Sequence, residues 1–113
     1  MRIKYPPSEE KLINLLEKNI TVLIDKVPTI EKVILFGSYA RNEPHYGSDF
    51  DLLFIVNKRI KNDFEVIYEL LYNLSLDFEW SPQLLSETKF KKLKKEGSPF
   101  IKTIINEGIE LWP

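Results

Sequence analysis

Residues 33 to 56 constrain the fold most, because two apolar runs there bracket a short segment carrying Gly37, Ser38, Asp49 and Asp51. The first run, Val33-Ile34-Leu35-Phe36, has the β-branched and aromatic content of a buried strand, and it stops at Gly37-Ser38, a pair suited to a tight turn into a helix start. The second run, Leu52 to Val56, follows Ser48-Asp49-Phe50-Asp51 directly. Side chains two apart on a strand share a face, so Asp49 and Asp51 are expected to project together while Phe50 packs on the opposite side. Two adjacent carboxylates repel and are costly beside a core unless a cation lies between them. The stretch therefore predicts a divalent-metal site.

The rest of the chain supplies elements to hold it. Pro6-Pro7 keeps residues 1 to 7 extended, and Ser8 then caps a helix over about 8 to 26 with Glu9 and Glu10 in its first turn. Leu12, Leu15, Leu16, Leu23 and Val27, widened by Ile13 and Ile20, give this helix an apolar face. Pro28 ends it, and Thr29 to Phe36 forms the first strand. Tyr39-Ala40-Arg41 predicts a short helix, residues 42 to 47 a loop, and residues 49 to 56 the second strand. Phe64, Ile67, Tyr68, Leu71 and Leu74 recur at helical spacing and predict a core-facing helix over about 61 to 75. A third strand is expected from about 77 to 85, at an edge or locally bent, because Pro82 interrupts a ladder. Ser86 is placed to cap a helix through Lys95, and Ser98-Pro99 starts another that holds Phe100, Ile101, Ile104 and Ile105. Gly108 ends that helix and leaves residues 109 to 112 as a short extended tail.

Composition bounds the function classes. At 113 residues with 43% hydrophobic content the chain reads as a single domain, residues 1 to 113, with enough apolar surface for a core. Sixteen basic residues against 17 acidic ones give a formal net charge of -1, which does not point to nonspecific nucleic-acid binding. Lys89, Lys91, Lys92, Lys94 and Lys95 crowd one segment and read as a solvated helix face in preference to an anion site. The absence of cysteine excludes disulfides and thiolate metal sites. No segment approaches the roughly 18 apolar residues that span a bilayer, nor the apolar core of a signal peptide, so a cytoplasmic protein is expected.

This order predicts an α+β fold with its sheet covered by helices on one face. The second and third strands flank a crossover helix and are expected to run parallel. Parallel neighbours start at the same edge, which brings the acidic start of the third strand, Asp77 or Glu79, near Asp49 and Asp51 as a third carboxylate. A hard cation such as Mg2+ takes oxygen ligands and is commonly shared between carboxylates and substrate phosphates. The Gly37-Ser38 turn permits close backbone approach, and a helix start beyond it offers free N–H groups to phosphate. Together these features predict nucleotidyl transfer.

Gly37-Ser38-Tyr39-Ala40-Arg41 and Ser48-Asp49-Phe50-Asp51-Leu52, with ten residues between Ser38 and Asp49, resemble the GS…SDxDL signature of the DNA polymerase beta-like nucleotidyltransferase superfamily. The chain length and the segment from Ser98 to Ile109 are similar to its minimal nucleotidyltransferase branch, and the resemblance covers about residues 30 to 110. It implies a polymerase beta-like palm, a small mixed sheet flanked by helices. It assigns Gly37 and Ser38 to the phosphates and Asp49 and Asp51 to Mg2+, with Asp77 preferred over Glu79 as third ligand because members often carry aspartate there. It also implies a HEPN-domain partner and, in some members, an antitoxin that transfers AMP from ATP to a tyrosine of a HEPN toxin. Asn42 stands where the family often has glycine and tolerates the same left-handed backbone.

Several residues have plainer readings. Arg41 reads equally as a phosphate ligand or as a solvated partner of Glu43. His45 reads as a surface residue, Tyr39 and Tyr46 as edge-of-core residues, and Trp80 and Trp112 as packing residues, with Trp112 an interface candidate. The alternative function is a noncatalytic nucleotide-binding module that neutralises a partner by direct binding, for which no third carboxylate is needed. Homo- or hetero-oligomers are compatible with either reading.

Overall fold

A computed structural model describes residues 9–37, 40, 50–58, 60–74 and 80–112 of the chain. In order these form α1 (Glu9–Lys26), β1 (Ile30–Phe36), β2 (Phe50–Val56), α2 (Asp63–Leu74), β3 (Trp80–Ser86), α3 (Glu87–Lys95), α4 (Pro99–Glu107) and β4 (Ile109–Trp112). The sheet order is β3-β2-β1-β4. β1 runs antiparallel to β2 and to β4, whereas β2 and β3 are parallel and in register from Phe50 beside Trp80 to Val56 beside Ser86. The crossover through α2 thus yields the parallel pair its sequence order implies. Pro82 sits on β3, an edge strand, where its missing N–H leaves no second ladder incomplete.

Alternation along β2 divides the core. Phe50, Leu52, Phe54 and Val56 face α1 and α2, meeting Leu23, Val27, Ile67 and Leu71. Leu53 and Ile55 face the other way and pack with Ile34, Ile104, Leu85 and Phe90 beneath α3 and α4. Helices therefore cover both faces, which corrects the one-face expectation. The physical reason is visible in β2 itself: residues 52 to 56 are apolar at both parities, the pattern of a strand buried on both sides. At roughly 1.5–3 kcal/mol for each large side chain fully buried, leaving Leu53 and Ile55 bare would forfeit several kcal/mol.

Helix faces are narrower than their periodicity suggests. In α2, Ile67 and Leu71 are buried, while Phe64 and Tyr68 are exposed and stack with Tyr72 as an i, i+4 ladder with ring centroids 6.1 and 4.7 Å apart. Ile20, Leu23 and Val27 of the expected α1 face are buried; the side chains at 12, 13, 15 and 16 lie outside the described set. The hydroxyl of Thr29 donates to the Asp63 carboxylate at 3.0 Å, fixing the start of α2 beside the start of β1. Ser86 accepts from the Lys89 N–H at 3.1 Å and Ser98 from the Ile101 N–H at 3.5 Å, so both expected caps form. Residues 109 to 112, expected as a tail, instead pair with β1, and Lys32 joins Glu110 across that pair at 3.0 Å.

Candidate functional site

β1 delivers Phe36 to the sheet end opposite Asp51 of β2, and the chain then turns at Gly37 with φ of 79°. That left-handed backbone favours glycine, and space demands it as well. A Cβ at Gly37 would collide with a carboxylate oxygen of Asp51 and lie 3.1 Å from its Cγ. The carboxylate thus rests against the bare α-carbon of the turn. Asp51 is half-buried at the head of a strand whose next five residues are all buried, and Ser81 stands beside it across the parallel ladder. Behind it, on the opposite sheet face, Phe50 and Trp80 are buried with ring centroids 5.1 Å apart, which stiffens the strand ends and confirms Trp80 as a packing residue.

Of the six residues assigned from the sequence, the structure describes Gly37 and Asp51, and it brings these two into contact. Ser38, Arg41, Asp49 and Asp77 lie outside the described residues, as do Glu79, Tyr39, His45 and Tyr46. Asp51 offers one hard oxygen donor beside the main chain of the turn, the donor type that a hard cation takes, and among the described residues no group of three such side chains forms a metal site. The lysines of α3 are exposed, and Lys91 pairs with Glu87 at 2.6 Å, in keeping with a solvated face. Sequence reasoning gave Phe100 to the last helix without a site role; it is 44% exposed and makes a T-shaped contact with Phe36 beside Asp51. Hydrophobic spacing alone cannot separate a buried position from this one, because the ring is apolar in both.

The mixed sheet with its parallel crossover thus sets Gly37, at the end of β1, beside Asp51, near the start of β2. The family model described as Polymerase beta, Nucleotidyltransferase matches residues 10–113, and the chain belongs to that family. It is 33% identical over 103 residues to a Methanocaldococcus jannaschii protein named "Putative protein adenylyltransferase MJ0141", covering 89% of this chain and 96% of that one. Among solved structures, a toxin–antitoxin complex with AMP-PNP contains a similar chain at a TM-score of 0.53 and 25% identity, covering 94% of this chain and 73% of that one. A complex of a tri-AMPylated Shewanella oneidensis HEPN toxin with its MNT antitoxin matches at a TM-score of 0.51 and 23% identity, over 88% of this chain and 71% of that one, and bears on the fold alone. Among the described residues, no helix is long and apolar enough to cross a membrane.

Proposed function

We propose that this chain transfers adenylate from ATP to a tyrosine of a HEPN-domain toxin and so acts as its antitoxin. The observation that carries the reading is the Asp51 carboxylate seated on Gly37, in a chain matched by the family over residues 10–113. The relatives' names and the AMP-PNP complex support ATP as donor and a protein as acceptor.

In this reading the turn at Gly37 and Ser38 receives the phosphates through backbone N–H groups, and Arg41 adds charge to the same anion. Asp49, Asp51 and Asp77 would hold Mg2+, which when bound neutralises charge on the phosphates and makes the attacking hydroxyl more acidic. The acceptor oxygen bonds to the α-phosphorus as the bond to the β-phosphate oxygen breaks. Pyrophosphate leaves, and the hydroxyl proton passes to a carboxylate of the site. Gly37 keeps Asp51 close to the main chain that binds the phosphates, so phosphate and carboxylate are positioned by the same turn.

The test mixes the chain with its HEPN-type partner, ATP and MgCl2 and measures the partner's mass. Adenylate adducts that disappear with Asp49→Asn and Asp51→Asn support the enzyme. Neutralisation without an adduct, persisting in those variants, replaces it with the direct-binding module. Asp77→Asn is expected to abolish transfer and Glu79→Gln to spare it; the opposite result moves the third carboxylate to Glu79.

A further inference from the structure

The sheet end that carries Asp51 also carries an aromatic wall. Phe36 is the Cα partner of Asp51 across the antiparallel ladder, and directly opposed residues of such a pair project to the same face. The Phe100 ring meets Phe36 edge to face, with centroids 5.6 Å apart and planes at 87°. Phe100 lies in the first turn of α4, which is anchored by the Ser98 cap, by Pro99 at its start and by Ile101 and Ile104 in the core. Those isoleucines form the packing stripe, so the core is closed without Phe100. Phe100 packs on Phe36 and remains 44% exposed as a residue. A lone exposed phenylalanine is ordinary on a protein surface. The position is what matters here: one ring-to-ring step beyond the side chain that neighbours Asp51.

We propose that Phe100 is a stacking platform for the base of the bound nucleoside triphosphate, with Phe36 as the ring that packs against it. The assignment rests on the nucleotidyl-transfer reading of the same site. With phosphates at Gly37 and Asp51, the half-exposed Phe100 is an aromatic side chain one ring beyond Phe36 for the nucleoside to reach. Stacking tolerates every base and gains with ring area, so selectivity from this residue favours purines over pyrimidines without hydrogen-bond readout.

The test measures ATP affinity calorimetrically for the full chain and for Phe100→Leu and Phe100→Tyr, in MgCl2. Leucine retains apolar packing against Phe36 but has no π-face; tyrosine retains the ring. The expected result is an affinity for ATP weakened about tenfold or more in Phe100→Leu, the order of one lost aromatic–base stack, and retained in Phe100→Tyr. Unchanged affinity in Phe100→Leu, or equal loss in both variants, overturns the platform while leaving the transfer reading intact. A wild-type chain that fails to bind ATP overturns both.

Discussion

Gly37 carries two constraints at one atom: a left-handed backbone at φ of 79° and an α-carbon against which the Asp51 carboxylate rests. Gly37→Ala is expected to cost about 1–3 kcal/mol in unfolding free energy, read by urea titration. It should also cut adenylate transfer by more than the stability loss explains, because the methyl group displaces Asp51. A second residue-scale prediction concerns charge. Loss of hydration and the facing Glu87 carboxylate hold the Glu31 pKa above its ordinary value of 4.5, while Lys91, then the hydrogen bond with Glu31, hold Glu87 below it. The raised group contributes stability in acid that fades as pH rises through its folded pKa. The lowered one contributes above the ordinary value and fades as pH falls. The two oppose each other, so Glu31→Gln, which retains a donor to Glu87 without the charge, should raise the melting temperature slightly at neutral pH. That gain should vanish in acid, where the native glutamate is itself protonated. A gain independent of pH would argue against the carboxylate pair as its source.

At the scale of elements, β4 depends on a close passage at Gly108. A Cβ there would collide with the Ile104 carbonyl oxygen and stand 2.6 Å from Cγ2 of Ile34, although φ of -70° is open to any residue. Gly108→Ala should therefore destabilise by crowding and not by backbone strain, by about 1–3 kcal/mol, with Ile34→Val partly relieving it in a double-mutant cycle. Helix limits and caps were readable locally: Ser86 and Ser98 cap where expected, and α1 ends at Lys26 just before Val27-Pro28. The role of residues 109 to 112 was not readable, because their partners Val33 to Leu35 lie more than 70 residues earlier and nothing local distinguishes a tail from an edge strand. Phe64 and Tyr68 were misread for a similar reason. Helical spacing identifies an apolar stripe, but the neighbouring helix and sheet decide which part of it they cover.

For the whole molecule, the core and the site are expected to separate experimentally. Phe54, fully buried at the centre of β2, should cost about 3–5 kcal/mol as Phe54→Ala. Chelation with EDTA should stop adenylate transfer, and added MgCl2 should restore it, with the far-ultraviolet circular dichroism unchanged throughout. Loss of that spectrum on chelation would mean that the ion holds the fold itself. Sequence alone determined the strand that ends at Gly37, the apolar run of β2 after Asp51 and the parallel crossover through α2, because periodicity and turn residues act over a few positions. The apolar residues at both parities of β2 already signalled two covered faces, although the element order suggested one. Only the tertiary structure decided that Asp51 rests on the α-carbon of Gly37, that β4 closes the sheet beside β1, and that Phe100 stands exposed next to Phe36. The β1–β2 register sets the first of these, the β1–β4 pairing the second and the seating of α4 on the sheet the third, and none of them is visible in local sequence.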